Sequence, residues 1–236
     1  MIEMVRRFLR QKFDNPIMAV LLGILAFMAS LPPALSEGPA RFLALIVLAA
    51  GVVSKDASSG ALQMILARPI SRTDYLFGRY FGILSAYALF LAAAAALAVL
   101  FSVVVFPLLK VHAEPLSAAA LARASGVAML EAVLPAAVLL LFSTFLPGYG
   151  DVLGYFLLAT LLGTTASLAT AAGKPALARV ARFAQDNVLP EPAWDSVLRS
   201  TNPLSSATGR WALAVVAFLV AAALIFRRRE FAYGHD

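Results

Sequence analysis

Six long apolar segments, separated by polar connections, dominate the pattern of hydrophobic positions along this chain. A helix needs about 20 mostly apolar residues to cross roughly 30 Å of hydrocarbon, because each residue rises 1.5 Å. The segments that meet or approach this length cover residues 16–33, 40–54, 75–106, 119–146, 151–172 and 207–227. The pattern therefore predicts an all-α integral membrane protein with six transmembrane helices in one domain, residues 1–236.

Residues 1–15 have the pattern of an amphipathic helix. Its arginines face away from an apolar side made by Ile2, Val5, Phe8, Leu9 and Phe13. Such a helix lies along the membrane interface, and Pro16 is a favourable first residue for the span that follows. A signal peptide cleaved after Ala34-Leu35-Ser36 is the alternative. The length of the basic region favours an uncleaved interfacial helix.

Composition strengthens the membrane assignment and excludes several functions. Apolar residues make up 61% of the 236 residues, against roughly 45–50% in soluble domains. The net charge of +6 comes from basic residues that bracket the apolar segments, so a nucleic-acid partner is not expected. There is no cysteine, and His112 and His235 are far apart, so no metal site is expected. No group of residues predicts catalysis.

The basic residues also predict the orientation. Four Lys or Arg residues precede the first span, four lie between 54 and 80, and three occupy 227–229, out of 19 in the chain. Basic residues concentrate on the cytoplasmic side, and an even number of spans places both termini on one side. Both termini are therefore predicted to be cytoplasmic, in the cell inner (cytoplasmic) membrane. The loop 173–206 is then extracytoplasmic, and part of it predicts a surface helix.

The connection between the second and third spans predicts a short cytoplasmic helix at 56–69. Arg68 suits the negative end of its dipole, and Pro69 ends it. Ser71 or Thr73 can cap the helix of the third span. A short helix held between two spans suits docking into the groove of a partner protein. A surface helix or a re-entrant turn without any partner is the alternative.

The same stretch resembles the signature region of the ATP-binding-cassette (ABC) type-2 permease family. In that family an acidic residue, a Gly-Ala/Thr-Leu-Glu/Gln run, an apolar helix and an Arg-Pro-Ile-Ser-Arg turn precede the third span. The matching positions are Asp56, Gly60, Ala61, Leu62, Gln63, Leu66, Arg68, Pro69, Ile70, Ser71, Arg72, Tyr75, Gly78 and Gly82. Asn202-Pro203 and the Arg-rich run 227–230 extend the resemblance over nearly the whole chain.

This resemblance implies the permease subunit of an ABC transporter, an exporter, paired with a second permease subunit as a homodimer or heterodimer. The coupling helix would contact a separate cassette ATPase subunit through Asp56, Gly60, Leu62, Gln63, Ile65, Leu66, Arg68, Pro69, Ser71 and Arg72. ATP and Mg²⁺ are expected only in that subunit. The chain itself has no phosphate loop, since Gly173-Lys174 is followed by Pro175 and lacks the earlier glycine.

Two features within the predicted spans leave alternatives open. Glu131 is the one acid well inside a span, where a charge costs about 2.5–3.5 kcal/mol, so it predicts a substrate-path contact, a proton-linked site or a packing hydrogen bond. Gly78 and Gly82 form a small-residue motif that allows close approach of two helices or two protomers, or of the N-terminal helix.

Two other functions compete with the permease hypothesis. The first is a membrane anchor or assembly factor that recruits a cytoplasmic partner without transport, which agrees with the scarcity of polar residues in the spans. The second is a secondary carrier coupled to protons through Glu131. Carriers of that kind usually have broken spans and several polar residues at the midplane, so this hypothesis is less favoured.

Overall fold

The computed structural model describes residues 2–30, 39–58, 60, 62, 65, 70–105, 108, 117–199 and 206–228. Within these ranges every regular element is a helix. The elements are α1 (Ile2–Phe13), α2 (Pro16–Ser30), α3 (Pro39–Ala49), α4 (Ser54–Ser58), α5 (Arg72–Leu100), α6 (Ala118–Phe145), α7 (Gly150–Ala171), α8 (Pro175–Val188), α9 (Trp194–Arg199) and α10 (Ser206–Arg228). Helix α5 continues as one π-helical turn, Phe101–Val105. The all-α prediction is therefore confirmed for the described chain.

Four of the six predicted spans are long, apolar helices. They are Arg72–Val105, Ala118–Phe145, Gly150–Ala171 and Ser206–Arg228. Their ends lie within three residues of the predicted spans 75–106, 119–146, 151–172 and 207–227. A fifth crossing is possible only if α1 and α2 are taken together, and these two helices are bent by 87° at their junction. The described helices thus provide four or five membrane crossings.

Within the described residues, the helices of the first two predicted spans are short, and residues 31–33 of the first span lie outside the described part of the chain. Helix α2 has 15 residues and α3 has 11, or about 22 Å and 16 Å at 1.5 Å per residue. Both fall short of roughly 30 Å of hydrocarbon. Helix α3 ends before Gly51, whose φ of 67° is the left-handed conformation that terminates many helices.

In the described residues, the structure differs from the predicted coupling helix 56–69. A single helical turn, α4, covers Ser54–Ser58 and so begins two residues earlier than expected. Gly60 then adopts a φ of 72°, which interrupts the helix. Leu62 and Ile65 are again helical. The other predicted positions here, Gln63, Leu66, Arg68 and Pro69, lie outside the described residues.

The chain divides into two compact units. The first contains Met1–Ala49 and Phe77–Ala132, and the second contains Ala50–Leu76 and Val133–Asp236. In the first unit α2 packs against α1 and α3. In the second unit α7 packs closely against α8, and α8 also contacts α10. The candidate coupling site belongs to the second unit.

Candidate functional site

Residues 54–72, called the coupling segment below, follow a turn that is held by two fully buried side chains. Asp151 Oδ2 accepts a hydrogen bond from the Gly51 N–H at 2.7 Å. Ser143 Oγ accepts from the N–H groups of Val53 and Ser54 at 3.0 Å and 3.2 Å. Both acceptors have no exposed surface. Because a buried N–H without a partner is costly, these contacts fix the backbone that leads into the segment.

The first residues of the coupling segment are also attached to the turn between α6 and α7. Ser54 Oγ donates a hydrogen bond to the Gly148 carbonyl at 2.5 Å. Gly148 has a φ of 63°, a conformation that favours glycine and lets its carbonyl face Ser54. The Lys55 ammonium lies 4.4 Å from the centre of the Tyr149 ring, within the range of a cation–π interaction. The predicted spans 119–146 and 151–172 leave a short connection here, and the sequence gave no indication that it contacts the coupling segment.

Asp56 joins the start of the coupling segment to the first turn of α5. Its Oδ2 accepts a hydrogen bond of 2.6 Å from the Tyr75 hydroxyl. Asp56 is 4% exposed and Tyr75 is completely buried. The Tyr75 ring in turn stacks on Phe226 near the end of α10, with centroids 5.6 Å apart and planes inclined by 17°. Asp56 thus lies inside the second unit, as an anchor of the segment.

The C-terminal end of the coupling segment is also held by hydrogen bonds. Ser71 Oγ accepts a hydrogen bond from the Asp74 N–H at 3.0 Å, so Ser71 caps α5 and is the one of the two candidates, Ser71 and Thr73, that does so. Arg72 Nη1 donates to the carbonyl of Arg227 at 3.0 Å and to that of Phe226 at 3.5 Å. A cation at the C-terminal carbonyls of a helix is favoured by the helix dipole. Both ends of the segment are therefore bound to the ends of long helices.

The remaining predicted contact positions divide by exposure. Leu62 is 1% exposed, so it packs within the unit, whereas Ile65 and Arg72 are half-buried and Ser71 is exposed. Sequence reasoning missed Ser143 and Asp151, which contact residues about 90 to 100 positions earlier in the chain. Asp151 entered the sequence analysis only as the first residue of the predicted span 151–172, which indicates no such role.

The two glycines of the predicted packing motif belong to the first unit, where they contact α1. A Cβ added to Gly78 would lie 2.8 Å from Met4 Cβ, and one added to Gly82 would lie 2.9 Å from the ring of Phe8. The Phe8 side chain is completely buried by this approach. Of the alternatives given by the sequence, close contact with the N-terminal helix is the one seen within the chain.

Glu131 also belongs to the first unit, near the middle of α6. Its side chain is exposed on the surface of the chain. It interacts electrostatically with Arg41 in the first turn of α3 and with Tyr87 on α5. Arg41 and Tyr87 are 7% and 3% exposed. Glu131 therefore lies on the surface of the first unit, and its role stays a prediction.

The long apolar helices define the class: the chain is a multi-pass helical membrane protein. A family model described as a protein of unknown function (DUF2705) matches residues 8–170, and the chain belongs to this family. No curated protein and no solved structure matches the chain. The matched range includes α2 to α6, the coupling segment and nearly all of α7.

Proposed function

We propose that the chain is the permease subunit of an ABC transporter in the cell inner membrane. In this proposal it crosses the membrane six times with both termini in the cytoplasm, and the coupling segment contacts a separate cassette ATPase. ATP and Mg²⁺ bind to the ATPase and the chain catalyses no reaction. The resemblance of 54–82 to type-2 permeases supports the proposal, and the contacts of the coupling segment add a physical reason for it.

The observation that carries the proposal is the attachment of the coupling segment at both ends. Asp56 binds Tyr75 at the start of the segment, and Arg72 binds the Arg227 carbonyl at its end. A force applied between these anchors reaches the N-terminus of α5 and the C-terminus of α10, because the anchors are buried or in direct hydrogen-bonded contact. Transmission of this kind is what a helix needs if it is to couple a soluble motor to spanning helices.

The proposed cycle uses two permease subunits and two ATPase subunits. ATP binding closes the ATPase pair, which moves the two coupling segments relative to each other. Rigid-body rotation of the attached helices then converts an inward-facing state to an outward-facing one, and hydrolysis resets the pair. This order of events exports the substrate. The membrane lipid surrounds the apolar faces of the spanning helices.

The test of this function is a charge reversal in the coupling segment. Arg68→Glu is expected to abolish co-purification with the cassette ATPase and to reduce permease-stimulated ATP hydrolysis to the level of the isolated ATPase. Arg179→Glu is the matched control, because Arg179 is an exposed arginine on α8, outside the segment. The control should leave both measurements unchanged. If Arg68→Glu also leaves them unchanged, the coupling function is wrong.

The same experiment separates the alternative of a membrane anchor. An anchor retains its partner without changing ATP turnover, whereas a permease subunit stimulates hydrolysis when its substrate is present. A wild-type complex that co-purifies with an ATPase but never alters its rate would therefore favour the anchor.

A further inference from the structure

Helix α1 is held along one side by the part of α5 that belongs to the first unit. Met4 and Phe8 pack where the two glycines of the α5 motif leave space, and Phe8 is completely buried there. One turn further along α1, Gln11 Oε1 accepts a hydrogen bond of 3.1 Å from Arg79 Nη1. These contacts fix the position of α1 relative to α5.

The contact with α1 lies where the charged part of α5 ends. Arg79 is the last charged residue of this helix, and residues 80–105 contain none. That stretch covers about 39 Å at 1.5 Å per residue, which exceeds the roughly 30 Å of hydrocarbon. Because Met4 and Phe8 contact α5 at positions 78 and 82, α1 lies at the level where α5 enters the hydrocarbon.

The direction of α1 follows from its angle to the next helix. The two helices are bent by 87° at their junction, and α2 has no charged residue. The exposed apolar side chains Ile17, Val20 and Ile24 indicate that α2 is surrounded by lipid. A helix at right angles to α2, at the edge of the hydrocarbon, lies in the plane of the lipid headgroups.

The side of α1 that faces away from α5 has an apolar edge and a basic edge. Ile2 and Phe13 are both exposed, and at about 100° per residue they lie within about 20° of each other around the helix. Arg6 and Arg10 are exposed next to this apolar edge. Because they are four residues apart, their side chains are neighbours on the same face.

Arg6 and Arg10 form no ion pair with any residue that the structure describes. The other two cations of α1 are engaged: Arg7 pairs with Glu3 at 2.9 Å, and Lys12 Nζ donates a hydrogen bond of 3.3 Å to a backbone carbonyl of α3. Two exposed guanidinium groups beside an apolar edge match the chemistry of an anionic phospholipid, in which a phosphate is joined to acyl chains.

We propose that α1 is a docking surface for an anionic phospholipid. The phosphate is held between Arg6 and Arg10, and the acyl chains cover Ile2 and Phe13. A guanidinium group can bind a phosphate with two parallel hydrogen bonds, and side chains four residues apart on a helix can reach the same group. The surface does not depend on a partner ATPase, so its test is independent of the proposed coupling function.

Lipid binding is measured on the purified full-length protein in a neutral detergent, by native mass spectrometry during titration with phosphatidylglycerol. Phosphatidylcholine with the same acyl chains is the comparison without net charge. Arg6→Gln together with Arg10→Gln removes both charges from exposed positions. Arg179→Gln together with Arg182→Gln is the matched control, because it removes two exposed arginines from α8.

The wild type should bind phosphatidylglycerol more tightly than phosphatidylcholine. The α1 double variant should bind phosphatidylglycerol about 25-fold more weakly, because each basic residue at an anionic surface contributes about fivefold. The control variant should bind like the wild type. Unchanged affinity in the α1 variant, or equal weakening in both variants, overturns the proposal. Displacement of the lipid by an equal concentration of inorganic phosphate would show a site for a free anion and would also overturn it.

The position of α1 has a second test that keeps both arginines. The chain contains no cysteine, so a nitroxide spin label can be attached to Ile2→Cys or to Glu3→Cys. Both positions are exposed, and they lie about 100° apart around the helix. In vesicles that contain phosphatidylglycerol, oxygen should reach the label at position 2 more readily, and a water-soluble nickel chelate the label at position 3. Equal accessibility at both positions would show that α1 does not lie at the membrane interface.

Discussion

Replacing Tyr75 with phenylalanine removes one buried hydroxyl group and leaves the aromatic ring in place. The hydroxyl donates to Asp56 Oδ2 at 2.6 Å, and both side chains are almost completely buried. The ring keeps its stacked contact with Phe226, whose centroid is 5.6 Å away. The variant therefore isolates the hydrogen bond that attaches the start of the coupling segment to α5.

The expected loss follows from the charge and burial of the acceptor. A hydrogen bond to a charged group contributes about 1.5–3 kcal/mol, and removing one partner of a buried bond also leaves the other less well solvated. The short distance and the 4% exposure of Asp56 place this bond inside that range. We expect Tyr75→Phe to lower the free energy of unfolding of the second unit by about 2 kcal/mol.

Tryptophan fluorescence is a suitable measurement because both tryptophans of the chain lie in the second unit. The rings of Trp194 and Trp211 contact each other edge-on with centroids 4.8 Å apart, so their emission should change when this unit unfolds. Denaturant titrations in detergent micelles give the free energy. Tyr149→Phe is the matched control, since the Tyr149 side chain is 61% exposed. If Tyr75→Phe changes stability by less than about 0.5 kcal/mol, like an ordinary surface substitution, the anchoring role of this bond is refuted.

Two glycine substitutions test other contacts. Gly78→Ala should loosen the packing of α1, because the added Cβ would lie 2.8 Å from Met4 Cβ. Trypsin should then cut α1 faster than in the wild type. Gly23→Ala is the control, since a Cβ added there would have nothing within 4 Å, and its cleavage rate should match the wild type. Equal cleavage of both variants would contradict the packing. Gly51→Ala should cost about 1–2 kcal/mol because of its φ of 67°, and thermal melts should show a lower midpoint. Gly126→Ala, at an open helical position, should not lower it.

The spanning helices were predictable because their signal is continuous and local. The apolar run 75–106 needs no knowledge of the rest of the chain, and the helix occupies Arg72–Val105. The cap of α5 was predictable for the same reason, as either Ser71 or Thr73, since capping depends on neighbours three residues away. The predicted span 40–54 extends beyond the observed helix, which ends at Ala49. Hydrophobicity cannot locate the left-handed Gly51 that follows the end of this helix.

Sequence patterns could not predict the contacts that anchor the coupling segment. Asp151 binds the backbone of Gly51, one hundred positions earlier, and nothing in either local sequence indicates the other. Asp56 was predicted as a contact for the ATPase, because the resemblance marks its position without showing which way it faces. Its bond to Tyr75 supports a different role, that of holding the segment in place.

Site-specific cross-linking from the coupling segment tests directly whether this segment contacts a cassette ATPase. A photo-reactive amino acid at position 63, which is Gln63 in the natural chain, is introduced into the full-length protein and irradiated in native membranes. We expect one dominant adduct, whose second component is a cassette ATPase identified by mass spectrometry, and no such adduct from position 177 on α8. An adduct with an extracytoplasmic protein, or ATPase adducts equally abundant from both positions, would contradict it.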